Sequence, residues 1–389
     1  MFPQFSDLIN ALLGTDFCLP IQTFGFFLVM AFVAAYFAFK SELLRRTALG
    51  RFPVKQQEFR EGGPISINEV LFSGILWMVL GYKLLLVFTQ NSLFCGSPQD
   101  VILSLDGEPL GAVLGLLLGA GLKFIEYRKL KGKEVVVITK TTGPVDSLGT
   151  VTGYAAIAGI IGAKLFHNLE DPTHLMEDPI GALTSFDGLT FYGGLICAAI
   201  VILRYVRKNG YNILEYVDAC APALMLAYGV GRIGCQLSGD GDWGIVNTAP
   251  KPSWLSFLPD WMWGFTYPHN VLNEGIPIPG CTGPHCFALP DPVYPTPFYE
   301  VVAALLLFGV LWSVRKRLNI AGQLTGLYLV LNGLERFFVE KIRVNSEYSI
   351  FGFNPTQAEI ISFLMIIAGI YLFSLKTWAK KTSHANSGS

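Results

Sequence analysis

Two arginines in this chain stand in apolar surroundings where a guanidinium is costly. Arg232 lies in YGVGRIGCQLSGDGDWG (228–244), between small residues and ahead of Asp240 and Asp242; Arg336 lies in NGLERFFVEKIR (332–343). A charge at mid-bilayer costs roughly 2.5–3.5 kcal/mol on insertion scales, so such residues persist facing a cavity or a partner. The planar fork of arginine grips a phosphate through two parallel N–H groups, which suits a lipid head group. The glycines beside Arg232 let backbone and a bulky ligand come close. Glu340 follows Arg336 by four residues, on the same helix face, while Glu335 points elsewhere and Arg343 lies at the exit. Spacing alone leaves two readings open: a polar-lipid or anion site, and an intramembrane ion pair that holds helices together.

The surroundings of these residues are set by composition. Of 389 residues, 52% are hydrophobic and 15% charged, and the mean hydropathy is +0.47. A soluble domain carries roughly 25% charged residues. Apolar runs of about 20 residues, each long enough to span a hydrocarbon core about 30 Å thick, recur along nearly the whole chain. The pattern predicts an all-α polytopic membrane protein with about nine spans, at 21–39, 67–88, 110–126, 146–167, 189–206, 214–234, 297–314, 322–340 and 356–375. Lys and Arg concentrate in 40–66, 126–144, 204–213, 314–321 and 376–389, whereas 1–20, 89–109 and 168–188 hold none and 240–296 holds only Lys251. Basic loops stay on the cytoplasmic side, so the N-terminus is expected outside and the C-terminus inside. The first 20 residues lack the basic region of a signal peptide. They read as a retained amphipathic helix on the outer surface or as a disordered leader. Nothing in the chain reads nucleic acid, and no cofactor motif appears.

Four of the seven cysteines, Cys18, Cys95, Cys281 and Cys286, fall in outer segments, where an oxidising compartment permits disulfides. CTGPHC (281–286) is expected to close a small disulfide loop, and Cys18 is a partner for Cys95. A metal reading of CTGPHC with His285 lacks a second ligand pair at zinc spacing, so no metal is expected. LFSGILWMVLGYKLLLVFTQN (71–91) resembles YAAIAGIIGAKLFHNLEDP (154–172), with Gly, a small or aromatic residue, Lys and Leu in step. Two readings of that similarity stay open: a duplicated hairpin, and the ready resemblance of one apolar helix to another.

The order SFDGLTFYGGLI, GRIG…WG, YPTPFYE, a span with R-x-x-x-E and then TQAEIIS resembles the prolipoprotein diacylglyceryl transferase family. The likeness opens at 23–39, resumes at 150 and runs to about 375. It implies a seven-span core made of the first span and the six spans of 145–376, with an inserted transmembrane hairpin at 67–144 and an enlarged outer loop at 245–293. Residues 1–66 would form the outer helix, first span and cytoplasmic loop, and 377–389 a cytoplasmic tail. The implied reaction transfers diacylglycerol from phosphatidylglycerol to the lipobox cysteine thiol of a prolipoprotein in a bacterial inner membrane, with prolipoprotein signal peptides and membrane lipids as partners and no cofactor.

By this resemblance Arg232 and Arg336 hold the lipid phosphate, Glu340 orients Arg336, and Asp240 or Asp242 supports Arg232. Gly193, Gly194, Gly244, Tyr299, Glu300 and Asn332 fall at substrate-binding positions. Tyr192 stands where the family commonly has a histidine, Cys235 where it has Asn, Tyr294 where it has His, and Phe24 where it has Tyr. An unperturbed phenol has a pKa near 10, a poor base unless adjacent arginines stabilise the phenolate. Tyr192 is therefore expected to accept a proton or to hydrogen-bond, with His167 a spare candidate by position. The acceptor thiol, of pKa about 8.5, already ionises slightly unaided. Two alternatives stay open: an inactive relative that binds lipid or lipoprotein, and a small-solute transporter built around Lys83 and Lys164.

Overall fold

In the computed structural model of the protein, the structure describes residues 1–15, 19, 21–61, 67–89, 104–130, 136–170, 172, 176, 190–344 and 354–386. The helices are α1 (Phe5–Leu13), α2 (Thr23–Ala48), α3 (Ile67–Thr89), α4 (Pro109–Leu130), α5 (Leu148–Glu170), α6 (Phe191–Lys208), α7 (Ile213–Ser238), α8 (Thr296–Val314), α9 (Gln323–Glu340) and α10 (Gln357–Asn386). Four short strands join them: β1 (Lys55–Glu61), β2 (Val136–Thr142), β3 (Ile276–Pro277) and β4 (Phe287–Ala288).

A helix occupies every position where the sequence predicts a span. Seven of them, α2, α3, α4, α5, α7, α8 and α10, are long and apolar enough to cross a membrane. The other two, α6 and α9, are 18 residues each and carry charges, Arg204, Arg207 and Lys208 on α6 and Glu335, Arg336 and Glu340 on α9. Large apolar side chains such as Phe32, Phe37, Leu306 and Phe363 point outward. That is the arrangement of a helix bundle whose solvent is lipid, where backbone groups must be satisfied inside each helix.

The bundle is organised around α7. Half of its apolar window is buried, against at most 22% in the other long helices, because α2, α8 and α9 all pack on it. Met225 of α7, Ala304 and Leu311 of α8 and Leu324 of α9 are fully buried together. At the N-terminal end of α7 a sealed polar knot fixes the helix ends. Asp218 accepts from the Gly322 and Thr325 amides at 2.9 and 2.8 Å and from the Thr325 hydroxyl at 2.6 Å, holding the start of α9. Arg46 of α2 reaches Glu42 at 3.0 Å and Glu215 of α7, and Arg51 reaches Glu215 at 3.0 Å.

The suspected duplication is present and larger than the sequence similarity. Adding 81 to the limits of β1 and α3 gives the limits of β2 and α5, so two strand–helix–helix units follow one another. In each, the glycine two residues before the lysine meets the partner helix. A methyl group on Gly81 would lie 2.2 Å from the Gly111 carbonyl oxygen, and one on Gly162 would lie 2.5 Å from that of Gly193. The hairpin exits match too, with the Glu108 amide bonding the Tyr82 carbonyl at 3.0 Å and the Thr190 amide bonding that of Ala163 at 3.1 Å. Close backbone approach at small residues is how helices associate without a hydrophobic drive in lipid. β1 and β2 pair antiparallel with Glu58 opposite Thr139, its counterpart 81 residues on, so a pseudo-twofold axis passes through the centre of the ribbon.

Helix α1 forms as expected. Asp7 accepts from the Gln4 amide at 2.9 Å, Gly14 closes the helix in the left-handed conformation, and Phe5 stacks on Phe26 of α2. The Phe2 amide bonds the Leu237 carbonyl at 2.7 Å, which seats this segment beside the C-terminal end of α7. The loop at 245–293 is tied to the same end: the Tyr267 hydroxyl donates to Gln236 at 2.9 Å. Buried Asn270 bonds the carbonyls of Tyr267, Glu274 and Phe287. Cys281 and Cys286 form the expected disulfide; Cys18 and Cys95 lie outside the described residues.

Candidate functional site

The last turns of α7 place Arg232 at the rim of the bundle. Gly239 ends the helix in the left-handed conformation, and the chain turns back through Asp240–Gly244. The Thr296 hydroxyl donates to the Asp242 carbonyl at 2.6 Å, which ties this turn to the first residue of α8. Gly244 then forms an isolated bridge with Arg343, its amide bonding the Tyr294 carbonyl at 2.8 Å. A methyl group at Gly244 would sit 2.3 Å from the Ile342 carbonyl oxygen, so only glycine lets the segment after α9 lie against this loop.

These contacts bring three arginines around one carboxylate. Glu300, one turn into α8, is fully buried. Arg232 Nε lies 2.8 Å from its Oε2, while Arg336 Nη1 and Arg343 Nη1 donate to its Oε1 at 3.1 and 3.4 Å. Asp242 links the same cations from the other side, accepting from both Arg232 and Arg343. Arg336 Nη2 lies 3.4 Å from Glu340 Oε2, and Glu340 Oε1 accepts from the Thr356 hydroxyl at 2.7 Å. The Arg232 guanidinium also lies 5.3 Å from the centre of the Tyr228 ring, one helical turn before it. The arginine side chains stay 10–24% exposed above the sealed Glu300, with the Asp242 carboxylate 32% exposed beside them. Planar forks of this kind can grip a phosphate through paired N–H groups.

The two aspartates divide their work. Asp242 is the one that supports Arg232. Burial works against its charge, but Arg232 and Arg343 overcome it and hold the carboxyl below the usual range. Burial pushes the Asp240 carboxyl up, and its side chain bonds the Cys235 thiol instead. Cys235, Asp240 and Asp242 offer atoms within 4.8 Å of one another. A cation there would face two guanidinium charges already held by Asp242.

A group whose folded-state pKa is depressed stabilises the fold above its unfolded pKa and loses that contribution as pH falls through the depressed value. Asp242→Asn is therefore expected to lower the thermal midpoint at neutral pH. The cost is about 2 kcal/mol, below the roughly 3–5 kcal/mol of a fully buried pair because Asp242 is partly exposed. Asp240→Asn is expected to leave the midpoint unchanged or raise it, and parallel melts of the two variants check the contrast.

The structure gathers Arg232, Arg336, Glu340, Asp242 and Glu300 from the residues expected in the site, and places Gly244 in the bridge beside them. Asn332 is half-buried one turn before Arg336. Other residues face elsewhere. Gly193 and Gly194 pack α6 against α5, where a methyl group on Gly193 would meet Phe166 Cβ at 2.3 Å. Tyr299 turns toward the outer loop, its hydroxyl donating to the Met262 carbonyl at 2.9 Å. Tyr192 lies in the first turn of α6, and its side chain falls outside the described residues. Sequence reasoning missed Arg343 as a member of the cluster, because it lies beyond the end of α9 and is brought in by its bridge to Gly244.

Comparison with known proteins adds a family signal that spans the same elements. A family model described as prolipoprotein diacylglyceryl transferase matches residues 110–375, beginning at 110, ahead of the point at 150 where the motifs resume. A Chlorobaculum tepidum protein named phosphatidylglycerol–prolipoprotein diacylglyceryl transferase is 30% identical over 254 residues, covering 62% of this chain and 75% of its own. A Vibrio vulnificus protein of the same name is 32% identical over 244 residues, covering 61% and 73%. One from Dehalococcoides mccartyi is 25% identical over 278 residues, covering 71% of this chain and 92% of that protein.

Proposed function

This chain belongs to the prolipoprotein diacylglyceryl transferase family, and we propose on that footing that it moves diacylglycerol from phosphatidylglycerol to the cysteine thiol of a prolipoprotein. The observation that carries the reading is the convergence of Arg232 from α7 with Arg336 and Arg343 from the end of α9 around Glu300. The thiol sulfur attacks the lipid's glycerol carbon, and the C–O bond to phosphate breaks with its electron pair leaving on oxygen. Negative charge grows on the departing glycerol phosphate, where preorganised donors in a water-poor site are worth most. Arg232 and Arg336 supply those donors, Asp242 and Glu340 fix their directions, and Glu300 keeps three like charges together without a ligand.

The reading extends to placement. The protein works in a bacterial inner membrane with nine spans, α6 the fifth and α9 the eighth, the Arg45–Arg46 end cytoplasmic and the arginine cluster toward the outer leaflet. Signal peptides of prolipoproteins are the protein partner. Residues 67–144 form a hairpin inserted into a seven-span core, a reading supported by the repeat that relates this hairpin to the next. Of the two lysines named for the transporter alternative, Lys83 caps the first hairpin, its Nζ donating to the carbonyls of Ser104 and Asp106 at 2.5 and 2.7 Å.

The test is complementation of a bacterium depleted of its own transferase, following the gel shift of a labelled prolipoprotein. Restored lipidation at normal expression is expected. Unmodified prolipoprotein in cells that hold the protein in the membrane would remove the reading.

A further inference from the structure

One acid beside the arginines has no bond to account for it. Glu335 is 9% exposed, and neither carboxylate oxygen has a hydrogen-bond partner among the described residues. The Tyr228 hydroxyl of α7 is sealed in the same condition. An unmade bond to a buried polar group costs about 1–3 kcal/mol, more where the group is charged. Arg232 of α7, Glu300 of α8, Arg336 and Arg343 lie within electrostatic reach of Glu335, as do the hydroxyls of Tyr228 and Tyr328. The other acids of the cluster are engaged: Glu300, Glu340 and Asp242 by guanidinium groups, and Asp240 by Cys235.

We propose that Glu335 is the proton carrier of the transfer reaction. The proposal rests on the transferase reading above. The S–H bond of the acceptor breaks and its proton passes to the Glu335 carboxylate as the C–S bond forms. The C–O bond to phosphate breaks, its electron pair stays on the phosphate oxygen, and the proton on Glu335 moves to that oxygen. The carboxylate is regenerated, and no other reactant is consumed.

The experiment measures transfer from phosphatidylglycerol in mixed micelles to a lipobox peptide, as kcat and KM across pH, for the purified wild type, Glu335→Gln, Glu335→Asp and Glu335→Leu. Glu335→Gln and Glu335→Leu are expected to lose about a hundredfold in kcat, the usual reach of a positioned acid–base group, with KM for the lipid within about twofold. The acid limb of the wild-type pH profile should disappear in Glu335→Gln, and Glu335→Asp should recover part of the rate. Thermal melts separate chemistry from folding: leucine removes an unpaired buried carboxylate, so its midpoint should match or exceed the wild type. Wild-type kcat and pH profile in Glu335→Gln would overturn the assignment, as would a lowered midpoint in Glu335→Leu that accounts for its lost rate. A wild type that transfers nothing would overturn the transferase reading itself.

Discussion

Arg232→Ala should lower diacylglyceryl transfer by about a thousandfold or more, and Arg336→Ala should do the same. Removing one preorganised donor to a developing oxyanion typically costs 10²–10³ in rate, and an arginine on a transferring phosphate about 10³–10⁵. Each of these side chains also orders its neighbours: Arg232 joins Asp242 to Glu300, and Arg336 joins Glu300 to Glu340. Arginine-to-lysine variants keep the charge and lose the fork, so they should fall between alanine and wild type, about a hundredfold down. Lys83→Ala, which alters only a cap on the first hairpin, is the control and should transfer normally. Initial rates with labelled phosphatidylglycerol decide the matter. Equal losses in all three alanine variants would argue for general damage to the bundle instead of phosphate recognition.

The second large effect is on stability. Glu300 sits fully buried with three guanidinium groups within 3.4 Å. Its removal takes away the one carboxylate that contacts all three guanidinium groups. Taking one partner from a buried ion cluster typically costs 3–5 kcal/mol, so Glu300→Ala should melt well below the wild type in detergent. An anion that binds the folded state raises stability by mass action. Added phosphatidylglycerol should therefore restore more of the midpoint in Glu300→Ala than it adds to the wild type. A variant that melts normally, or one that no anionic lipid protects, would show that Glu300 is not the counter-charge of the site.

Much of this was legible beforehand because apolar runs, basic loops and isolated arginines report directly on a lipid solvent. Helices appear at each expected place, and Arg232, Arg336 and Glu340 meet as their spacing and the family likeness implied. What stayed hidden depends on tertiary approach. Asp240 and Asp242 differ by two residues in an irregular turn, and only the Thr296 bond to the Asp242 carbonyl and the paired arginines choose between them. Arg343 enters through an isolated bridge that needs Gly244 opposite, a pairing with no periodic trace in sequence. Glu335 was set aside as pointing away from the Arg336–Glu340 face, yet the packing of α9 among α7, α8 and α10 leaves it no exit to solvent. Gly193 and Gly194 carry a motif shared with the family but spend it on contact with α5, a use that position along the chain does not reveal.

The paired strands at the base of the two hairpins carry a constraint on any attempt to shorten the chain. β1 and β2 pair along seven matched residues, so the earlier copy cannot be cut away cleanly. A trimmed protein would keep β2 as a solitary edge, its amides and carbonyls bare at the membrane face and open to pairing with another molecule. Engineering a minimal enzyme from this scaffold means blunting that edge, with lysine or proline, in the same step.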